Sequence, residues 1–170
     1  LRHIGGLGLP TILSTGMANL EEVSSALDVL LAYGSPKEDV TILHCTTDYP
    51  ATMGDVNLQA MVTMRDAFGV EVGYSDHTLG HEVAVAAIAL GAVVIEKHLT
   101  LDRESAGPDH VASLEPEEFA NMVRVIRNIE IALGDGIKRP QSSEFANMSV
   151  ARKSLVASER IQEGEAFTSM

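Results

Sequence analysis

Two histidines carry the chemical interest of this sequence. His77 stands in Gly73-Tyr74-Ser75-Asp76-His77-Thr78, and His98 stands in Ile95-Glu96-Lys97-His98-Leu99-Thr100. Each phrase reads as a short apolar strand running into a polar cluster. Between them, Glu82 to Gly91 is a run of small apolar residues closed by glycine, the pattern of a helix. A strand–helix–strand unit makes its two strands parallel and close, with neighbouring strands ~4.8 Å apart. Both imidazoles then stand at carboxyl ends of strands, where α/β folds place their chemistry. Two neutral imidazoles among oxygen donors suit a divalent ion such as Mn²⁺, Zn²⁺ or Co²⁺, with positions left open for water and substrate. Such an ion acts as a Lewis acid on a carbonyl oxygen. Ser14, Ser75 and nearby backbone N–H groups can hold a phosphate or a carboxylate. Glu96 or Asp109 can move protons or grip hydroxyls.

Plainer readings stand beside these. One strand-end histidine is more often a hydrogen-bonded structural residue than a ligand; two on successive parallel strands bring the metal reading level with it. His44 lies inside a strand and is read as structural. His3, His81 and His110 have no partner legible in the sequence. Glu96 beside Lys97 reads equally as a strand-end ion pair, although alternation puts only one of them inside. Asp76 alternates away from Ser75 and His77, so it is expected to cap the following helix. Tyr49-Pro50 is read as loop-shaping, with Tyr49 able to stack on a sugar.

The elements that must position these residues follow from the hydrophobic pattern. Gly5 to Pro10 is read as a flexible lead-in. Thr11–Gly16 reads as a buried strand ending in hydroxyls. Asn19 is an N-cap, and Glu22 completes a capping box. Val40–Cys45 is a second strand, followed by the polar loop Thr46-Thr47-Asp48-Tyr49-Pro50. A helix is predicted over 58–68, a strand over 70–74 and a fourth strand over 92–96. The last long helix starts at Glu115-Pro116, where proline suits the first helical position and Glu117 and Glu118 complement the dipole. Residues 142–149 read as a linker, and 150–170 as short β-type segments of another unit. Four strand–helix repeats predict a parallel sheet with right-handed crossovers, either a small open sheet or half of an eight-stranded barrel.

Composition narrows the classes. With 170 residues, 45% of them apolar, the chain can bury one sizeable core. Mean hydropathy is +0.11, which fits a globular protein. Aromatics are only 4%, so small aliphatic residues must fill that core. A net charge of −12 argues against a nucleic-acid partner, because no basic stripe exists to release counterions. The single cysteine, Cys45, cannot form an internal disulfide and is read as a buried free thiol in a reducing, cytoplasmic compartment. The longest apolar run, Val83–Ile95, falls short of the ~20 residues a membrane span needs, so no membrane partner is expected. The chain starts at Leu1 rather than Met and stops in mid-pattern, and it is read as a piece of a longer protein.

Six phrases together resemble a known family. Leu13-Ser14-Thr15-Gly16-Met17, Leu43-His44-Cys45-Thr46, Tyr49-Pro50, Tyr74-Ser75-Asp76-His77-Thr78, Glu96-Lys97-His98-Leu99-Thr100 and Gly107-Pro108-Asp109 are similar, in order and spacing, to the motifs of the sialic acid (N-acetylneuraminate) synthase family. The likeness runs from about Leu9 to Leu133. Ala151–Ala157 with Ile161–Glu165 resembles the start of that family's antifreeze-like (SAF) domain. The resemblance implies a TIM (β/α)₈ barrel, of which residues 1–141 would be strands five to eight. Residues 142–149 would then be a linker, and 150–170 the start of the SAF domain.

The resemblance also implies an activity: condensation of phosphoenolpyruvate with an N-acetylmannosamine-type sugar, releasing phosphate. His77 and His98 would ligate the metal, usually Mn²⁺, with Mg²⁺ or Co²⁺ as alternatives. Ser14 and Ser75 would lie at the phosphoenolpyruvate, and Tyr49, Glu96 and Asp109 on the sugar side. Thr47 stands where neuraminate-making members often carry Asn, and His44–Pro50 is more similar to members that make legionaminic-type acids. The family's phosphate-binding lysines and a further acidic residue belong to the barrel's first half. The family works as a swapped homodimer whose SAF domain covers the partner's site, so the isolated piece is expected to be inactive. The rival readings are another metal-dependent 3-deoxy-sugar-acid synthase barrel and a non-catalytic carbohydrate-binding protein.

Overall fold

The computed structural model describes residues 1–166. The chain divides into two units, Leu1–Gly134 and the residues from Asp135 onward. The first unit begins with a short helix, α1 (Arg2–Gly5), followed by β1 (Thr11–Ser14), α2 (Leu20–Ala32) and β2 (Val40–Cys45). Then come α3 (Gln59–Phe68), β3 (Glu71–Asp76), α4 (Glu82–Ala89), β4 (Val94–Lys97) and α5 (Pro116–Leu133). The four strands pair in sequence order, and every pairing is parallel. The predicted strand–helix alternation is therefore present, as a curled parallel sheet.

Register sorts the strand residues between two faces. Ser14, Leu43, Gly73 and Val94 lie in one row, and Cys45, Ser75 and Glu96 lie two residues further on, on the same face. The alternating residues Val40, Ile42, Val72 and Tyr74 point the other way. They form the core with Leu27 and Leu30 of α2, Met61 and Met64 of α3, Ala84 and Ala87 of α4, and Met122 and Ile126 of α5. The helices thus cover one face. On the other, Leu43 and Ser75 are buried in the middle of the sheet, while Ile12, Ser14 and Glu96 towards its two edges are exposed. Gly73 is required on that face. A Cβ there would meet Leu43 Cδ2 and the Val94 carbonyl oxygen at 2.5 Å each, so Leu43 lies directly over the glycine.

Helix ends follow the sequence signals. The Asn19 side chain accepts from the Glu22 N–H at 3.0 Å, and Glu22 Oε2 accepts from the Asn19 N–H at 2.9 Å. Gly69 adopts φ 59° to close α3, a left-handed conformation that glycine adopts without a Cβ penalty. Pro116 opens α5 behind Glu115, which forms a second capping box with Glu118. Residues 2–5, which run into the start of the lead-in, are helical, and Gly5 packs so closely on the end of α2 that a Cβ would lie 2.7 Å from the Leu30 carbonyl oxygen.

In the second unit, Ser142–Glu144 form a 3₁₀ turn and Phe145–Ala151 a helix, α6. The sequence reading had a linker over 142–149 and β-type segments from 150. No strand occurs among the described residues 152–166, where Leu155 and Val156 are exposed. A lone strand has no partner to satisfy its backbone. The expected SAF segment also takes in residues 167–170, which lie outside the described residues.

Candidate functional site

The carboxyl ends of β3 and β4 and the loop after β2 bring five of the sequence-predicted residues together: Tyr49, Ser75, His77, Glu96 and His98. The imidazoles of His77 and His98 stand edge to face with ring centroids 5.4 Å apart. The Tyr49 ring lies 4.2 Å from the His77 ring and 5.5 Å from that of His98. Ser75 Oγ donates to Glu96 Oε1 at 2.6 Å and lies 3.3 Å from His77 Nε2. Ser75 and Glu96 are register partners, which is why a serine and a carboxylate on different strands meet at this distance.

His77 is held by its backbone neighbours. Its Nδ1 lies 2.7 Å from the Thr46 carbonyl oxygen. A carbonyl can only accept, so Nδ1 carries a proton, and in the neutral imidazole Nε2 is then the nitrogen that presents a lone pair. An imidazole fixed in this way by a backbone carbonyl is a good ligand for a divalent ion. The donor chemistry of His77 therefore fits a metal, and the His98 ring stands 5.4 Å from it as a second imidazole donor. Among the described residues, no cluster of three or more His, Cys, Asp or Glu side chains surrounds a single point, so this pair would be the described residues' share of such a site.

The remaining predicted residues are more dispersed. Asp109 lines a cavity of about 250 Å³ together with His98, Pro108, His110 and Ser113. The loop is pinned by His110, whose Nδ1 lies 2.7 Å from Thr100 Oγ1; that supplies the partner the sequence left unnamed. Ser14 is exposed on edge strand β1, on the same face as Ser75 but one row lower. Thr47 is exposed and packs against Gly16, where a Cβ would collide with its hydroxyl. Burial pushes the Tyr49 phenol above its ordinary pKa, and the Cys45, Asp109 and Glu96 side chains push in the same direction. A larger cavity, about 440 Å³, opens elsewhere, between the β1–α2 loop and α3, and does not include the histidine pair.

Two plainer readings are corrected here. Glu96 and Lys97 do not pair with each other: Glu96 bonds Ser75 on the open face, whereas Lys97 points to the helix side and pairs with Asp76 at 3.1 Å. Asp76 does not cap α4, whose N-cap is His81. Asp76 Oδ1 instead accepts from Thr78 N and Thr78 Oγ1. His44 Nε2 lies 2.8 Å from the Val56 carbonyl oxygen. Sequence reasoning missed Cys45, which is half-buried in the same row as Ser75 and Glu96 rather than sealed in the core. Counting alternation along Val40–Cys45 would have found it.

Residues 1–138 match the family described as the NeuB family. The chain belongs to the NeuB family. Among its relatives is an N,N'-diacetyllegionaminic acid synthase of Campylobacter jejuni, 53% identical over 168 residues, covering 99% of this chain and 50% of that protein. The human N-acetylneuraminate-9-phosphate synthase is 38% identical over 162 residues, covering 95% of this chain and 44% of that one. Among solved structures, the N-acetylneuraminic acid (sialic acid) synthetase of Leptospira borgpetersenii in complex with citrate matches with a TM-score of 0.77 at 37% identity. That match covers 87% of this chain and 51% of that one. The NeuB-family chain thus spans about half the length of the curated relatives it matches. Its curled parallel sheet is a half-barrel similar to sialic acid synthase barrels. Among the described residues no helix is long and apolar enough to cross a membrane.

Proposed function

We propose that this chain is the carboxyl-terminal half of the catalytic barrel, strands five to eight, of a nonulosonic acid synthase. The reaction joins the enol carbon of phosphoenolpyruvate to the aldehyde carbon of an N-acetylmannosamine-type sugar. Water adds to the pyruvate-derived carbon, and phosphate leaves with cleavage of its C–O bond. The observation that carries this reading is the cluster of Tyr49, Ser75, His77, Glu96 and His98 on the open face of the sheet. Of the two acceptors the sequence leaves open, N-acetylmannosamine and a 2,4-diacetamido-trideoxy hexose, the second is favoured by Thr47 and by the identity to a legionaminic acid synthase.

His77 and His98 would hold the divalent ion, Mn²⁺ by preference, which when bound would supply Lewis acidity toward the aldehyde oxygen. The chain's own groups do the rest. The Thr46 carbonyl keeps the His77 Nδ1 proton in place, so that Nε2 faces the site. Ser75 holds its proton toward Glu96, leaving the other Glu96 oxygen to accept a substrate hydroxyl or take up a proton. Tyr49 stays a phenol to higher pH than a free tyrosine and donates to a sugar oxygen. Asp109, beside His98, grips a hydroxyl, and Ser14 contributes to the phosphoenolpyruvate side. The SAF domain, the swapped homodimer and a cytoplasmic location belong to the same proposal, and the isolated 170-residue chain is inactive in it.

The test is phosphate release from phosphoenolpyruvate by the full-length protein with Mn²⁺ and each of the two sugars. Sugar-dependent release, lost in His77→Ala and in His98→Ala, is the expected outcome. Release that survives both substitutions removes the histidines from the mechanism. Product formed by the isolated chain would show that this half suffices.

A further inference from the structure

Behind the two histidines, on the helix side of the sheet, lies a polar group that the proposed reaction does not use. Asp76 and Lys97 are register partners on β3 and β4, and their side chains are both 0% exposed. Lys97 Nζ donates to Asp76 Oδ2 at 3.1 Å and also to the Thr78 carbonyl oxygen. Asp76 Oδ1 accepts from the Thr78 N–H at 2.9 Å and from Thr78 Oγ1 at 2.7 Å.

A fully buried ion pair is a poor stabiliser, because desolvation consumes most of its attraction and apolar residues of similar volume do as well or better. Its position is more informative. Asp76 and Thr78 bracket His77, and one ammonium group grips both. Lys97 is itself the residue before His98. The pair therefore ties the backbone of one histidine to that of the other. The other strand-end contacts act from different directions. The Ala51 N–H donates to the His77 carbonyl oxygen, and the Leu114 N–H to that of His98, each at 2.9 Å. With these in place, His77 Nδ1 can reach Thr46 and the rings can sit 5.4 Å apart.

We propose that Asp76, Lys97 and Thr78 form a positioning clamp that sets the orientation of His77 relative to His98. This rests on reading the two histidines as the reactive pair. The experiment uses the full-length protein, metal-free for spectroscopy and then titrated with Mn²⁺ alone. Asp76→Asn keeps the oxygen that accepts from Thr78, and combined with Lys97→Met it leaves no unpaired buried charge. Nitrogen-15 spectra of the imidazoles report the tautomer. The parent should show His77 protonated at Nδ1. The double variant should stay folded, show a mixture of tautomers and bind Mn²⁺ about tenfold more weakly. A folded double variant with the parent's tautomer and affinity would overturn the clamp and leave the pair a structural feature.

Should the double variant not fold, Thr78→Val removes one bond with no change in charge or size. A shift in the same direction is expected from it, and parent-like spectra would overturn the clamp. Absence of sugar-dependent phosphate release in the parent would defeat the proposed function instead, while the imidazole spectra would still decide the clamp.

Discussion

Ser75–Glu96 and Asp76–Lys97 are neighbouring rungs of the same strand pair, yet they make opposite use of a carboxylate. Glu96 reaches the open face, is exposed, and accepts one side-chain hydrogen bond, from Ser75. Asp76 is sealed from water and accepts from Thr78 twice and from Lys97 once. A carboxylate with free lone pairs facing solvent can accept a proton or a hydroxyl, and one whose oxygens are committed to buried donors holds a shape. Strand alternation separates the two duties by a single residue. The histidines that follow each strand inherit their position from the second pair and their surroundings from the first.

If that division holds, substitutions on the two faces should fail in different ways. Lys97→Met leaves Asp76 charged and unpaired in the core, and the protein should lose about 3–5 kcal/mol of stability, read by denaturant unfolding. A variant that unfolds with the parent would show that the helix-side pair carries no structural weight. Glu96→Gln should do the reverse. Sugar-dependent phosphate release should fall about 10²-fold, with stability within ~0.5 kcal/mol of the parent, because Ser75 keeps an acceptor and the residue is exposed. A large loss of stability there would erase the contrast. Gly73→Ala sharpens it further. Gly73 lies on the open face but has no polar group, and its added methyl meets Leu43 and the Val94 carbonyl. A loss of about 1–3 kcal/mol from overpacking is expected. Proximity to the site would then be shown not to imply chemistry.

The strand–helix alternation, the Asn19 capping box and the start of α5 at Pro116 were legible because each rests on local pattern. The pairing of His77 with His98 was legible from the βαβ spacing. Contacts across the sheet were not. That Ser75 meets Glu96 and Asp76 meets Lys97 depends on register between strands 21 residues apart, and no local signal states it. Thr46 as the partner of His77 depends on where the β2 loop returns, and His110 as the partner of Thr100 depends on how the following loop folds back. Phe145–Ala151 is helical where the sequence reads as a linker over 142–149, because a seven-residue helix is too short to show a helical repeat of apolar residues.

Cys45 tests where the boundary between the two faces lies. It shares a row with Ser75 and Glu96, so by register it belongs to the reactive face. Its surroundings are those of a holding residue. Burial pushes its thiol pKa up, with the Glu96 charge adding to the rise, and this outweighs the backbone N–H groups of Thr15 and Gly16, which favour the thiolate. Thiolate is the reactive form, so an uncharged alkylating reagent at neutral pH should modify Cys45 more slowly than free cysteine. The rate should climb only as pH passes above the ordinary thiol range. Mass spectrometry of a timed alkylation series measures this directly. Fast modification at neutral pH would mean that the open face stabilises anions at Cys45 as well. In that case the row of Cys45, Ser75 and Glu96 would act as one electrostatic surface rather than as a site centred on β3 and β4.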